Sequence, residues 1–84
     1  MIIRWDPLKS AWLKRTRGVS FEDILQETFI GVEEHPKKRH QRLMLFELDG
    51  YIWTVPYVRR GEEVFLKTLF PSRVYTQRWL RGES

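Results

Sequence analysis

The pair Asp49-Gly50 inside "RLMLFELDGYIWTV" constrains this chain more than any other feature. A two-residue type I′ turn needs positive φ at both central positions, which Asp and Gly tolerate, and the flanking residues suit a pleated sheet. The turn sets Leu48 opposite Tyr51, Phe46 opposite Trp53 and Met44 opposite Val55. "YVRRGEEVFLKTLF" supplies a second turn at Arg60-Gly61. As a two-residue loop it sets Val55 opposite Leu66 and Trp53 opposite Thr68, with Lys67 across from Thr54. One sheet face then carries Met44, Phe46, Leu48, Tyr51, Trp53, Val55, Val64, Leu66 and Phe70, and is the expected core face. The other is mixed: Leu43, Leu45, Glu47, Ile52, Thr54, Pro56, Phe65, Lys67 and Leu69. Pro56 cannot donate to a ladder, which predicts a break of register at a bulge.

Two helix starts precede the sheet. After the strand-like "MIIRW", Asp6 is placed as N-cap, Pro7 fills the first helical position and Gly18 closes the helix; Leu8, Ala11 and Trp12 share a face. Helix one is expected over residues 6–16. Ser20 with Asp23 reads as a capping box and Val19 with Ile24 as a hydrophobic staple. The stripe Phe21, Ile24, Leu25 and Phe29 carries helix two to about residue 29. "GVEEH" reads as a short edge strand and "PKKRHQ" as a basic loop. Pro71 and Ser72 open a last helix, "SRVYTQRWL", with Val74, Tyr75 and Trp79 inward and Arg73, Gln77 and Arg81 on another side. The expected fold is α+β: one domain over residues 1–84, a small antiparallel sheet of three to five strands, two N-terminal helices on one face and a C-terminal helix. The helical hairpin lids one face and leaves the other, with its basic rim, open to a ligand.

Composition sets what such a core must do alone. With 84 residues and no cysteine, the chain has neither disulfides nor thiolate ligands, and a domain of this size buries only about 60% of its unfolded surface. Four Trp, three Tyr and five Phe supply the apolar area. Three of the tryptophans are better spent in the core, which leaves Tyr57 and Phe65 as the better candidates for stacking on bases. The lack of cysteine suits a reducing, cytoplasmic setting. Arg4 and Asp6 interrupt the N-terminus too early for a secretory leader, and no run approaches the roughly 20 apolar residues of a membrane span. His35 and His40, without cysteine or a third histidine, do not make a zinc site, and no phosphate-cradling glycine loop or nucleophile elbow is present.

Charge points to a partner. Fifteen Lys and Arg against eleven Asp and Glu give a net +4, concentrated in "HPKKRHQR", residues 35–42, which has four cations, two histidines and no acid. Such a patch fits a polyanion, nucleic acid above all. The cations expected to meet it are Lys37, Lys38, Arg39, Arg42, Arg59, Arg60, Arg78 and Arg81.

Three pieces of sequence carry a resemblance: Trp5-Asp6-Pro7 with Lys9, then Gly18-Val19-Ser20-Phe21-Glu22, then Ser72-Arg73 with Thr76 and Arg78. In that order, around a strand hairpin, they resemble the BrnT toxins of bacterial type II toxin-antitoxin modules, small relatives of the RelE ribonuclease fold. The resemblance implies a RelE-like sheet with helices, RNA cleavage without a cofactor, and a cognate antitoxin that inhibits the toxin and joins it on operator DNA. Arg73 is the functional residue that carries over best. Arg17 stands where members usually have histidine, and Trp79 where many have glutamate.

Metal-independent RNA cleavage needs a proton acceptor for the 2′-hydroxyl, cations for the crowded phosphorus and a proton for the leaving oxygen. Lys67 and Arg73 are the candidate cations; His35, His40, Glu47, Tyr57 and Tyr75 are candidate proton carriers. His40 is the better histidine, since Arg39 and Arg42 flank it and would favour its neutral, basic form. The expected catalytic set is Lys67, Arg73 and His40, with no metal. Against it stands a non-enzymatic module on the same fold that binds nucleic acid or protein through the basic loop, a reading motivated by Arg17 and Trp79.

Overall fold

The computed structural model describes residues 1–82. Its elements run β1 (Ile2–Arg4), α1 (Pro7–Arg17), α2 (Phe21–Ile24), β2 (Thr28–Glu34), β3 (Arg42–Leu48), β4 (Tyr51–Arg60), β5 (Glu63–Leu66), β6 (Phe70–Pro71) and α3 (Arg73–Leu80). The strands form one sheet in the order β1-β5-β4-β3-β2, with β6 also paired to β4. The sheet is mixed, because β1 pairs with β5 in parallel, where an antiparallel sheet was expected. It lies between α1 and α2 on one side and α3 on the other.

The first hairpin has the predicted register: Leu48 faces Tyr51, and Asp49 and Gly50 take φ of 52° and 80°. The second turn lies one residue later than expected, at Gly61-Glu62, with Arg60 opposite Glu63 and Tyr57 opposite Leu66. The register therefore moves by two residues, which preserves the faces because side chains alternate with period two. Lys67 consequently meets Pro56, not Thr54; its N–H reaches the Pro56 carbonyl at 2.8 Å. The expected bulge at Pro56 is also absent from the β3–β4 ladder. Leu48 and Tyr51 close the hairpin, so the odd-numbered N–H groups of β4 point at β3 and the even-numbered ones away from it. Pro56 thus lacks a donor only on the β5 side, where its carbonyl is still used. The bulge falls in β2, between Phe29 and Gly31.

Helix α1 begins as predicted, with the Asp6 carboxylate accepting the Leu8 N–H (2.9 Å) and Gly18 closing it at φ 78°. Its buried face is another matter. Ser10 and Leu13 turn inward, while Leu8 is 80% and Trp12 41% exposed. The inward face is chosen by a polar network. The Ser10 hydroxyl donates to Glu22 and accepts the Phe21 N–H (3.0 Å), and the Trp5 ring packs 6.1 Å from that of Phe21. The Ser10 hydrogen bond, foremost, holds the Glu22 carboxyl below its ordinary pKa. Ser20 and Asp23 form the reciprocal capping box, and the Lys14 ammonium, 2.7 Å from Asp23, draws that carboxyl down to about 2. Most residues of the first two resemblance motifs therefore knit the α1–α2 corner.

Helix α2 ends after four residues, well short of residue 29. Thr28, Phe29 and Ile30 favour a pleated surface, and pairing of Thr28 with Glu47 and Phe29 with Phe46 draws them into β2. The main core combines Leu13, Phe21 and Ile24 with Met44, Val55, Tyr57, Val64, Leu66 and Leu69. Phe70, expected inside, is 38% exposed and Leu69 is 0%. The chain leaves the ladder after Lys67, and Arg17 grips the Leu69 carbonyl and the Thr68 hydroxyl, so the alternation breaks there. Tyr51, at the turn end, is exposed as well. On the opposite face Leu43, Leu45 and Ile52 form a second core under Tyr75 and Trp79 of α3, whereas Val74 faces solvent. Thr76 anchors this helix: its hydroxyl accepts the Ile52 N–H at 2.8 Å and donates to the Ser72 carbonyl at 2.6 Å. The second face is therefore half covered, not left open.

Candidate nucleic-acid interface

Three separate basic stretches meet at one end of the sheet. Arg42 opens β3 opposite Tyr57, so Val58, Arg59 and Arg60 of β4 extend beyond β3 with β5 on their other side. The basic loop sits beside this extension. Its shape is set from within: His35 Nδ1 accepts the N–H groups of Lys37 and Lys38 at 3.1 Å each. Gln41, almost fully buried, donates its N–H to the Lys38 carbonyl (3.1 Å) and accepts the His35 N–H (3.4 Å). His35 is thereby an internal acceptor of the loop.

Two grooves open there. One of about 490 Å³, on the α3 side, is lined by His40, Arg59, Arg60, Phe65 and Lys67. The other, of about 360 Å³, is lined by Arg39, His40, Arg42, Tyr57 and Arg59. His40 and Arg59 border both. The Lys67 ammonium stands 5.5 Å from the centre of the exposed Phe65 ring, a cation and an aromatic surface side by side. Glu63 is the carboxylate of the first groove, and Arg4 holds it at 3.1 Å. Five Arg and Lys side chains around one engaged carboxylate concentrate positive potential at this end.

Of the expected site residues, His40, Lys67, Arg39, Arg42, Arg59 and Arg60 come together here. Lys37 and Lys38 are exposed on the adjoining loop. Arg73 does not join them. The N–H of Ser72, one residue before α3, bonds to the Ile52 carbonyl (2.8 Å). Ile52 lies four residues along β4 from Pro56, the partner of Lys67, or about 13 Å of strand. Arg78 lies over the Tyr75 ring at 5.5 Å and lines, with Trp79 and Ile30, a pocket of about 210 Å³ between α3 and β2. Arg81 caps the end of α3.

The other proton-carrier candidates are dispersed. Glu47 accepts the Gly50 N–H at 2.8 Å, at the far turn, and Tyr75 lies under Arg78. Tyr57, proposed from the sequence for stacking, is a core residue that also lines the second groove. Gln41 and Val58, which belong to no motif and no expected site, complete the first groove. The signal for Gln41 was its place inside the basic run, a polar residue with a loop to hold together. Among the described residues no three His, Cys, Asp or Glu side chains are grouped to hold a metal ion, and no helix is long and apolar enough to cross a membrane.

The chain matches no protein-family model, no curated protein and no solved structure.

Proposed function

We propose that this protein is a BrnT-like toxin of a type II toxin-antitoxin module, a metal-independent endoribonuclease of the cytoplasm on a RelE-like fold. The observation that carries the reading is the convergence of His40 with Lys67, Arg59 and Arg60 in one groove beside the Phe65 ring. In this mechanism His40 takes the 2′-hydroxyl proton and the 2′-oxygen bonds to phosphorus. The bond from phosphorus to the 5′-oxygen breaks, and that oxygen leaves with a proton from solvent. Lys67 and Arg59 stabilise the anionic phosphorus centre, where preorganised cations are worth most. Arg39, Arg42 and Arg60 hold flanking phosphates, and Phe65 stacks on a base. Arg73 serves as a peripheral phosphate contact. An antitoxin neutralises the toxin and brings it to operator DNA.

A second reading is favoured by Arg17 and Trp79. Where the family has histidine and glutamate, this chain has a bracket on the Leu69 carbonyl and a tryptophan of α3 packed onto the sheet. On that reading the same groove binds RNA without cutting it.

One experiment separates the two: purified protein is incubated with total RNA in the presence of a chelator, beside Lys67→Ala and His40→Ala. Fragments with 2′,3′-cyclic phosphate ends, lost in both variants, support the ribonuclease. Intact RNA that is nevertheless bound through Lys67 supports the binding module and refutes the enzyme.

A further inference from the structure

The sheet face under α1 and α2 is covered over only part of its area. Because α2 stops at Ile24 and the next residues become a strand, the sheet gains width while its helical cover loses length. What remains is an open apolar basin of about 520 Å³. It crosses the sheet: Ile3 comes from β1, Val64 from β5, Tyr57 from β4, Met44 from β3, and Phe29 and Val32 from the edge strand β2. Leu25, just after α2, also lines it. Phe29 is 55% and Val32 42% exposed, although the Phe29 ring already stacks edge-on against Phe46. Arg42 and Arg59 carry the basin's two charged side chains, and the Met1 ammonium at its border pairs with Glu62 at 3.7 Å.

We infer that this basin is the docking site for an amphipathic helix of another protein, apolar along one face and carrying carboxylates where it meets Arg42 and Arg59. A sheet face is ordinarily covered by helices, and five strands about 4.8 Å apart span about 19 Å, the length of a helix of about 13 residues. Charge selects the occupant. A second copy of this chain could offer its exposed α1 face, Leu8 and Trp12, but Lys9 and Arg17 stand over the Trp12 ring and Arg15 follows, so cations would meet cations. An acidic partner has no such conflict. The basin shares Arg42, Tyr57 and Arg59 with the second groove, but the inference does not rest on the ribonuclease reading, since its test uses no RNA.

The probe is a fluorescent synthetic helix of about 14 residues, leucine along one face and glutamate along its borders, followed by anisotropy. Its counterpart carries lysine for glutamate. The acidic peptide should bind at least about tenfold more tightly than the lysine peptide, and Phe29→Ser and Val32→Ser should each weaken it by about tenfold. Both residues are half exposed on an edge strand, and circular dichroism verifies that the variants fold. Arg42→Glu with Arg59→Glu should reverse the preference between the peptides. Equal binding of the two peptides, or binding unaffected by Phe29→Ser, would overturn the proposal. So would a protein that sediments as a dimer and becomes a monomer on Phe29→Ser, since a second copy would then be the occupant.

Discussion

Removing the Lys67 ammonium should change how RNA binding responds to salt, by an amount the groove itself dictates. Five side chains, Arg39, Arg42, Arg59, Arg60 and Lys67, line the paired grooves. If each neutralises one phosphate of a single strand, log K falls with log salt at a slope of about −0.7 per contact, or about −3.5 in all. Between about 50 and 200 mM salt the affinity then drops about 100-fold. Lys67→Ala removes one contact, so the slope should ease to about −2.8 and the drop to about 50-fold. The assay is anisotropy of a labelled single-stranded RNA titrated at several salt concentrations. Arg15→Ala is the control, an exposed cation on α1 outside both grooves. A shallow slope near −1, or equal easing by Arg15→Ala and Lys67→Ala, would mean that net charge and not this groove recruits the strand.

Ser10→Ala should destabilise the fold by about 2 kcal/mol, because the buried Phe21 N–H loses its acceptor, and should lower the thermal midpoint by about 10 °C. A shift below about 2 °C in a thermal melt would show that the corner does not rest on this hydroxyl. Thr76→Val should cost about 1–3 kcal/mol by orphaning the Ile52 N–H, and denaturant melts should show it while the α1–α2 corner keeps its protection in hydrogen exchange. Lys14→Met tests the depressed Asp23 carboxyl. A folded pKa below the unfolded one adds stability above about pH 4 that disappears as pH falls through about 2. The wild-type advantage, under about 1 kcal/mol for so exposed a pair, should be present at neutral pH and absent near pH 2; a gap independent of pH would refute that origin.

What the sequence determined by itself was local. Asp49-Gly50 closes its hairpin, Asp6-Pro7 and Gly18 bound α1, and Ser20 with Asp23 forms its box, because each depends on backbone angles and hydrogen bonds within a few residues. The faces of β3, β4 and β5 were also legible, since alternation survives a register error of two. The basic end was visible in part: the loop, Arg59 and Arg60 could be named, but their meeting with Lys67 depends on the turn lying at Gly61-Glu62. Tertiary pairing decided the rest. Residues 28–30 have helical spacing and strand-forming side chains at once, and the open edge of β3 resolved the choice. Leu69 and Phe70 exchanged places because Arg17, fifty-two residues from Leu69, holds that carbonyl. The apolar face of α1 turned outward because Ser10 found Phe21 and Glu22, a bond no periodicity contains. Arg73 parted from Lys67 because Ser72 is tied to Ile52, and only long-range hydrogen bonds specify such a distance.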